Sequence, residues 1–227
     1  FPDSDFSQYD VLVAPMMYMV KPGLAEKVEA FTAKGGTFVC TYFSGIVDET
    51  DLAFENGYPG PFSRVLGIHV EEIDALYEGQ TNTIVMSDGS GSYSCRHLAD
   101  LLHLESAEAI ATYGSDFYQG MPALTRHAYG EGCAYYVASD PDDACLDRLY
   151  GDIMRSHGIA PVLEAPSGVE IAVRYQGDQA ITFVLNHHSQ PATVDLDGSD
   201  YHDLLTGQTV SGALSLDGYG VGILITH

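Results

Sequence analysis

The sequence predicts a parallel α/β domain followed by a small antiparallel β domain. Residues 10–14 and 37–42 are short apolar runs, typical of strands that are buried on both faces. A helical segment from Pro22 to Gly35 separates them, so the three together form a βαβ unit with parallel strands. Beyond residue 168, strand-like runs alternate with turns and no helix is indicated, which favours an all-β domain.

The helix between the first two strands is predicted from Leu24, Val28 and Phe31, which recur at helical spacing. Pro22 suits its first turn because a proline there lacks only an N–H that has no helical partner. Gly35 suits its end.

The middle of the chain is less regular. Residues 43–67 are rich in Gly and Pro and predict loops that end in a short helical piece. Strands are predicted at 68–73 and 83–87, residues 93–113 fit helix and strand equally, and 129–139 predicts a turn leading into a strand.

A second long helix is expected to start at Asp140–Asp143, with an acidic cap and Pro141 in its first turn, and to end at Gly158. Its apolar stripe consists of Cys145, Leu149 and Ile153.

Composition divides the chain into three parts: a first domain over 1–160, a linker over 161–168 and a β domain over 169–227. The linker prediction rests on two Pro and a Gly in APVLEAPSG. Six short strands are expected in the β domain, at 169–175, 179–186, 192–196, 201–204, 213–216 and 221–226.

Charge excludes several classes of partner. The chain has 32 acidic residues against 9 Lys plus Arg, a formal net charge of -23. This charge repels phosphate backbones and anionic lipid surfaces, so we expect neither a nucleic-acid nor a membrane partner. The run at 11–20 contains Pro15 and is too short for a membrane span. The first residues resemble neither a start nor a signal peptide, so we expect a piece of a longer chain.

No motif predicts a metal, a cofactor or a catalytic pair. His187 and His188 are adjacent and point to opposite faces of a strand, which makes them poor joint ligands. The adjacent carboxylates are Asp48–Glu49, Glu71–Glu72 and Asp142–Asp143. Neighbouring side chains on a strand point apart, and the third pair caps a helix, so none is a catalytic pair. Gly89–Ser94 matches a nucleotide-binding loop only weakly, because the third Gly is missing. The four cysteines form no C-x-x-C pair, so we expect free, packed thiols and a cytoplasmic location.

Cys40 leaves an alternative open. A cysteine near a glycine after a buried strand resembles class I glutamine amidotransferases, whose nucleophile occupies a tight turn in a G-x-C-x-G setting. Here the turn falls nearer Tyr42 or Phe43, and Cys40 is still inside the strand without an apparent base. An amidotransferase-like hydrolase using Cys40 is therefore an alternative to a non-catalytic domain.

Segments along nearly the whole chain resemble the C-terminal half of family 42 glycoside hydrolases, the microbial β-galactosidases. The matching segments are YDVLVAPMMYMV at 9–20, GGTFVCTYFSGIVDETDL at 35–52, GYPGPFSRVLGIHVEE at 57–72, DFYQGMPALTRHAYGEGCAYYVAS at 116–139, FVLNH at 183–187, DLLTG at 203–207 and YGVGILI at 219–225.

This resemblance implies a non-catalytic role. In that family a (β/α)8 barrel with both catalytic glutamates comes first. A flavodoxin-like, amidotransferase-like domain without its nucleophile then mediates trimerisation, and a small β domain follows. The implied partners are other copies in a homotrimer, the barrel of the same parent chain, and a galactoside bound only through that parent. No catalytic residue is carried over.

Aromatic residues at the expected carboxyl ends of the strands are the candidate interface: Tyr42, Phe43, Phe54, Tyr58 and Phe62. Coverage of the sheet edge or of a neighbouring barrel explains them equally well. A carbohydrate-binding module in 169–227 is a further alternative.

Overall fold

The computed structural model describes residues 4–226. These residues divide between His157 and Gly158 into two compact units, each with a sheet and a hydrophobic core of its own.

The described residues of the first unit form a nine-stranded mixed sheet with the order β1-β2-β8-β7-β6-β4-β5-β3, in which β9 pairs with β5. The strands are β1 Val11–Ala14, β2 Thr37–Thr41, β3 Ile68–Ala75, β4 Asn82–Met86, β5 Ser92–Leu104, β6 Glu108–Tyr113, β7 Pro122–Tyr129, β8 Gly132–Val137 and β9 Ser139–Pro141.

Among the described strands of this sheet, parallel pairing is restricted to β1, β2 and β8. In register, Val13 of β1 lies beside Val39, and Val39 lies beside Tyr135 of β8. The other described pairings in this sheet are antiparallel, so the expected parallel sheet is found at one end only. The reason is local: hairpins such as β7–β8, closed at Tyr129 and Gly132, can only be antiparallel. The ambiguous residues 93–113 lie mostly in the antiparallel strands β5 and β6.

Two longer helices accompany the sheet, α1 Leu24–Ala33 and α3 Asp143–Ser156, with a 3₁₀ turn Gly60–Phe62 leading into the short α2 Ser63–Leu66. Both predicted helix starts need correction. Gly23, with φ 79°, occupies the N-cap of α1, so Pro22 precedes the helix. In α3 the N-cap is Asp142, whose carboxylate accepts the Cys145 N–H, and Pro141 belongs to β9.

Strand β2 is buried at all five of its residues. Its Phe38 packs against Phe62 with ring centroids 5.4 Å apart. The predicted stripe of α3, Cys145, Leu149 and Ile153, is buried as expected. Since apolar burial is the main stabilising contribution to folding, the buried strand β2 fixes the start of the loop that follows it.

The described residues of the second unit form a five-stranded antiparallel sheet with the order β10-β11-β14-β12-β13. Its strands are β10 Val169–Gln176, β11 Gln179–Asn186, β12 Ala192–Asp203, β13 Thr209–Leu216 and β14 Val221–Thr226. The strands expected at 192–196 and 201–204 are one strand, β12, whose register with β13 shifts between Asp195 and Asp200. Leu163, inside the predicted linker, is buried in the core of this unit.

The DLLTG segment is a turn closed by a buried carboxylate. Asp203 accepts hydrogen bonds from the Leu205 N–H at 3.0 Å and the Thr206 hydroxyl at 2.7 Å. Burial raises the pKa of Asp203, but these hydrogen bonds outweigh it, so the pKa lies below its usual value. This segment therefore serves the fold.

Candidate self-association surface

Two loops at the carboxyl ends of β1 and β2 expose apolar side chains. The loop over residues 15–20 exposes Met16 and Tyr18, and the loop over residues 42–58 exposes Leu52, at 64% of its full area. Single exposed apolar residues are ordinary, but several in adjoining loops make this part of the chain a candidate interaction site.

Backbone hydrogen bonds join the two loops. The Gly45 N–H donates to the Met17 carbonyl at 2.9 Å, and the Ile46 N–H donates to the Tyr18 carbonyl at 2.9 Å. The Met17 N–H in turn donates to the Ser44 hydroxyl at 2.8 Å. The loops are thus one platform, which lowers the entropy lost when a partner binds.

Gly45 is the tightest point of this platform. Its φ is 65°, and a β-carbon added there would lie 1.9 Å from the carbonyl oxygen of Pro59. Both the left-handed backbone and the close approach exclude a side chain. Gly45 therefore allows residues 42–46 to pack directly against the segment that leads into α2.

Asp48 shapes the turn that presents Leu52. Its Oδ1 accepts the N–H and the hydroxyl of Thr50, at 2.8 and 2.7 Å, and the N–H of Leu52 at 3.1 Å. Hydrogen bonds from Thr50 lower the pKa of this exposed carboxyl. The turn is thus built from its own residues and leaves the Leu52 side chain in solvent.

An aromatic pair lies between the two loops. Tyr18 and Phe43 stack with ring centroids 5.5 Å apart and an interplanar angle of 28°. Phe43 has φ 57°, a left-handed conformation that is unusual for a residue with a side chain. Four of the five predicted interface residues are half-buried here: Tyr42, Phe43, Phe54 and Tyr58.

Phe62, the fifth predicted residue, lies elsewhere. It is 0% exposed and packs on Phe38 in the core. Its side chain offers no area to another subunit, so it must be removed from the candidate interface. The 3₁₀ turn Gly60–Phe62 directs it inward, although it follows a Gly- and Pro-rich loop.

Three residues that sequence reasoning missed belong to this surface: Met16, Tyr18 and Leu52. The sequence did contain a signal for Met16 and Tyr18. The apolar run continues past Pro15 although β1 ends at Ala14, so it places apolar residues in a loop. We define the carboxyl-end surface as Met16, Tyr18, Tyr42, Phe43, Leu52, Phe54 and Tyr58.

Cys40 is not placed for nucleophilic catalysis. The tight turn after β2 falls at Phe43, as the sequence suggested, and Cys40 remains inside the strand at 0% exposure. Burial raises the pKa of the Cys40 thiol to about 12, so the thiolate is scarce at neutral pH. The geometry therefore argues against an amidotransferase-like hydrolase.

Alkylation tests this directly. Iodoacetamide at neutral pH is expected to label Cys133, the half-exposed thiol, before the buried Cys40. Peptide mass spectrometry over time measures both, and denatured protein is the control in which all four thiols react. Fast, selective labelling of Cys40 in the folded chain would contradict its burial.

A buried carboxylate lies beneath the aromatic pair. Asp100 of β5 is 1% exposed, and its Oδ2 accepts the Phe43 N–H at 3.1 Å and the Tyr136 hydroxyl at 2.6 Å. Sequence reasoning also missed this residue, although an Asp inside the apolar run Leu98–Leu102 is a signal of a buried polar role.

The described residues contain no group of three or more His, Cys, Asp or Glu side chains arranged to hold a metal ion. Over the same part of the chain, no helix has both the length and the apolar character needed to cross a bilayer.

Comparison with known families assigns both units. Residues 1–160 match the family model described as the β-galactosidase trimerisation domain, and residues 168–224 match the β-galactosidase C-terminal domain. Among curated relatives, β-galactosidase BgaP of Planococcus sp. strain L4 is 50% identical over 98% of the chain, and BglY of Alicyclobacillus acidocaldarius is 42% identical over 95%. The chain covers 33% and 32% of these relatives, about a third of their length.

Solved structures agree. The β-galactosidase from Bacillus circulans sp. alkalophilus superposes with a TM-score of 0.94 at 48% identity, over 99% of this chain and 34% of that one. The β-galactosidase from Rahnella sp. R3 gives 0.91 at 41% identity, over 99% and 33%. The chain therefore belongs to the family 42 β-galactosidases and comprises their trimerisation domain followed by their C-terminal domain.

Proposed function

We propose that this chain is the self-associating part of an enzyme that hydrolyses terminal β-D-galactosides. Copies associate as a homotrimer through the carboxyl-end surface, and the same parent chain supplies an N-terminal (β/α)8 barrel that binds the galactoside. Catalysis belongs to that barrel.

The observation on which this rests is the coincidence of the trimerisation-domain match over residues 1–160 with a hydrogen-bonded platform inside that range that exposes apolar side chains. Aromatic and aliphatic side chains on a preorganised surface are the usual anchors of protein interfaces. The interface residues we propose are the carboxyl-end surface, without Phe62.

The finer assignments are proposals as well. We propose a flavodoxin-like core for the first domain, supported by the parallel pairing of β1, β2 and β8. We propose the boundaries 1–160, 161–168 and 169–227, supported by the two matched ranges, with the connecting segment packed on the second domain through Leu163. A cytoplasmic location is supported by the four free cysteines.

A chromogenic β-galactoside assay tests whether catalysis lies outside these two domains. The 227-residue chain is expected to give no turnover above the buffer background, and calorimetry with lactose is expected to give no heat. A family 42 β-galactosidase that includes the barrel is the positive control. Turnover by this chain well above background would contradict the proposal, because chemistry would then reside in these two domains.

A further inference from the structure

The Asp100 carboxylate joins parts of the sheet that are not neighbours. Asp100 lies on β5. Of the two groups that its carboxylate binds, the Phe43 N–H follows β2 and the Tyr136 hydroxyl lies on β8. In the sheet order, β7, β6 and β4 separate β8 from β5. The pairing of β9 with β5 already brings the end of β8 close to Asp100, since β9 directly follows β8. The carboxylate adds the loop after β2 to this junction.

The backbone around Asp100 is fixed in place. Its N–H donates to the Ala138 carbonyl at 2.7 Å, and the Tyr113 hydroxyl donates to the carbonyls of Ala138 and Asp100, at 2.9 and 3.2 Å. Because these hydrogen bonds fix the backbone of Asp100, its carboxylate has a defined position from which to bind the Phe43 N–H and the Tyr136 hydroxyl. Of the two carboxylate oxygens of Asp100, Oδ2 has the partners given above, and the buried Oδ1 has none among the described residues.

The group that Asp100 holds is the residue with the unusual backbone. Phe43 adopts φ 57°, a conformation that persists only where surrounding contacts stabilise it. Its N–H hydrogen bond to Asp100 is such a contact, and its ring stacks on the exposed Tyr18. Loss of the hydrogen bond would release the aromatic pair from the platform.

We propose that Asp100 is a positioning residue for self-association, whose carboxylate holds the Phe43–Tyr18 pair in the arrangement that a second copy of this chain binds. The proposal rests on the proposed function, because it takes the carboxyl-end surface as the interface. It assigns a role to a residue that is too buried to touch the partner itself.

The strength of this tether depends on ionisation. Burial raises the pKa of Asp100 to about 6. The other titratable groups around it have raised pKa values and stay neutral from pH 5 to 8: Cys40 on β2, Tyr42 after β2, Tyr113 on β6 and Tyr136 on β8. Above pH about 6 the ionised carboxylate makes charge-assisted hydrogen bonds, roughly twice as strong as neutral ones, and protonation weakens them.

The test compares Asp100→Asn with the unchanged chain by sedimentation at about pH 8 and about pH 4.5, well to either side of this pKa. The amide oxygen of Asn can accept the same two hydrogen bonds without a charge. Asp147→Asn, on the exposed face of α3, is the control for loss of one charge. Circular dichroism confirms that each variant is folded.

At the higher pH, the unchanged chain and the control are expected to half-associate at a concentration about fivefold lower than Asp100→Asn does. At the lower pH the three should agree within about twofold, because the side chain at position 100 is then uncharged in all of them, as a protonated Asp or as Asn. Comparison at equal pH removes effects of other titrating groups. Equal half-association concentrations at the higher pH, or a difference that does not change with pH, would overturn the proposal.

A separate readout distinguishes this inference from the proposed function. If all chains stay monomeric, the proposed function fails, and the amide resonance of Phe43 then decides the role of Asp100. A titration of that resonance with a midpoint near 6 that is absent from Asp100→Asn supports positioning by Asp100. A Phe43 resonance that does not change with pH overturns it.

Discussion

Phe62→Ala is expected to lower the free energy of unfolding of the first domain by about 3–5 kcal/mol. Phe62 is fully buried and packs on Phe38 of the buried strand β2, so removal of the ring leaves a cavity in a close-packed core. Urea unfolding followed by circular dichroism measures the change.

Phe117→Ala is the matched control, because Phe117 is 73% exposed and its described ring contact is with Tyr118 alone. Its loss is expected to stay below about 1.5 kcal/mol, the range of a single aromatic contact. If Phe62→Ala cost no more than this control and instead weakened self-association of a fully folded chain, Phe62 would be an interface residue after all.

Leu52→Glu is expected to weaken self-association roughly thirtyfold without loss of stability. Truncation of an interface anchor commonly costs about 2 kcal/mol or more, and here a charge would also be buried against the partner. The Leu52 side chain lies in solvent within one chain, so its replacement leaves the fold intact. Sedimentation equilibrium measures the association.

Leu205→Glu makes the same chemical change at an exposed leucine of the second unit and is the control. Its association constant is expected to remain within about twofold of the unchanged chain. Equal weakening in both variants would point to general charge repulsion in a chain of net charge -23, and no weakening in either would place the interface elsewhere.

The elements that sequence patterns predicted are those with local causes. Strands β1 and β2 and the helix between them follow from apolar runs and helical spacing, and their parallel pairing follows from the helical crossover. The antiparallel majority of the sheet was not predicted, because residues 93–113 satisfy both periodicities and their pairing with distant strands decides between them.

The candidate surface was predicted only in part. Aromatic residues after β2 were identified by type and position, but type alone does not tell whether a loop side chain turns inward. The Phe62 side chain turns inward, because a 3₁₀ turn redirects the chain there. Leu52 was missed because its exposure depends on the turn formed around Asp48, and Asp100 because its partners are distant in sequence.

The mass of the 227-residue chain in solution tests the central claim most directly. We expect mass photometry and sedimentation velocity, at salt high enough to screen the acidic surface, to show a species of three times the chain mass of 24.5 kDa. The fraction of the chain in this species should rise with protein concentration. A monomer of 24.5 kDa at every concentration reached would contradict self-association through these domains.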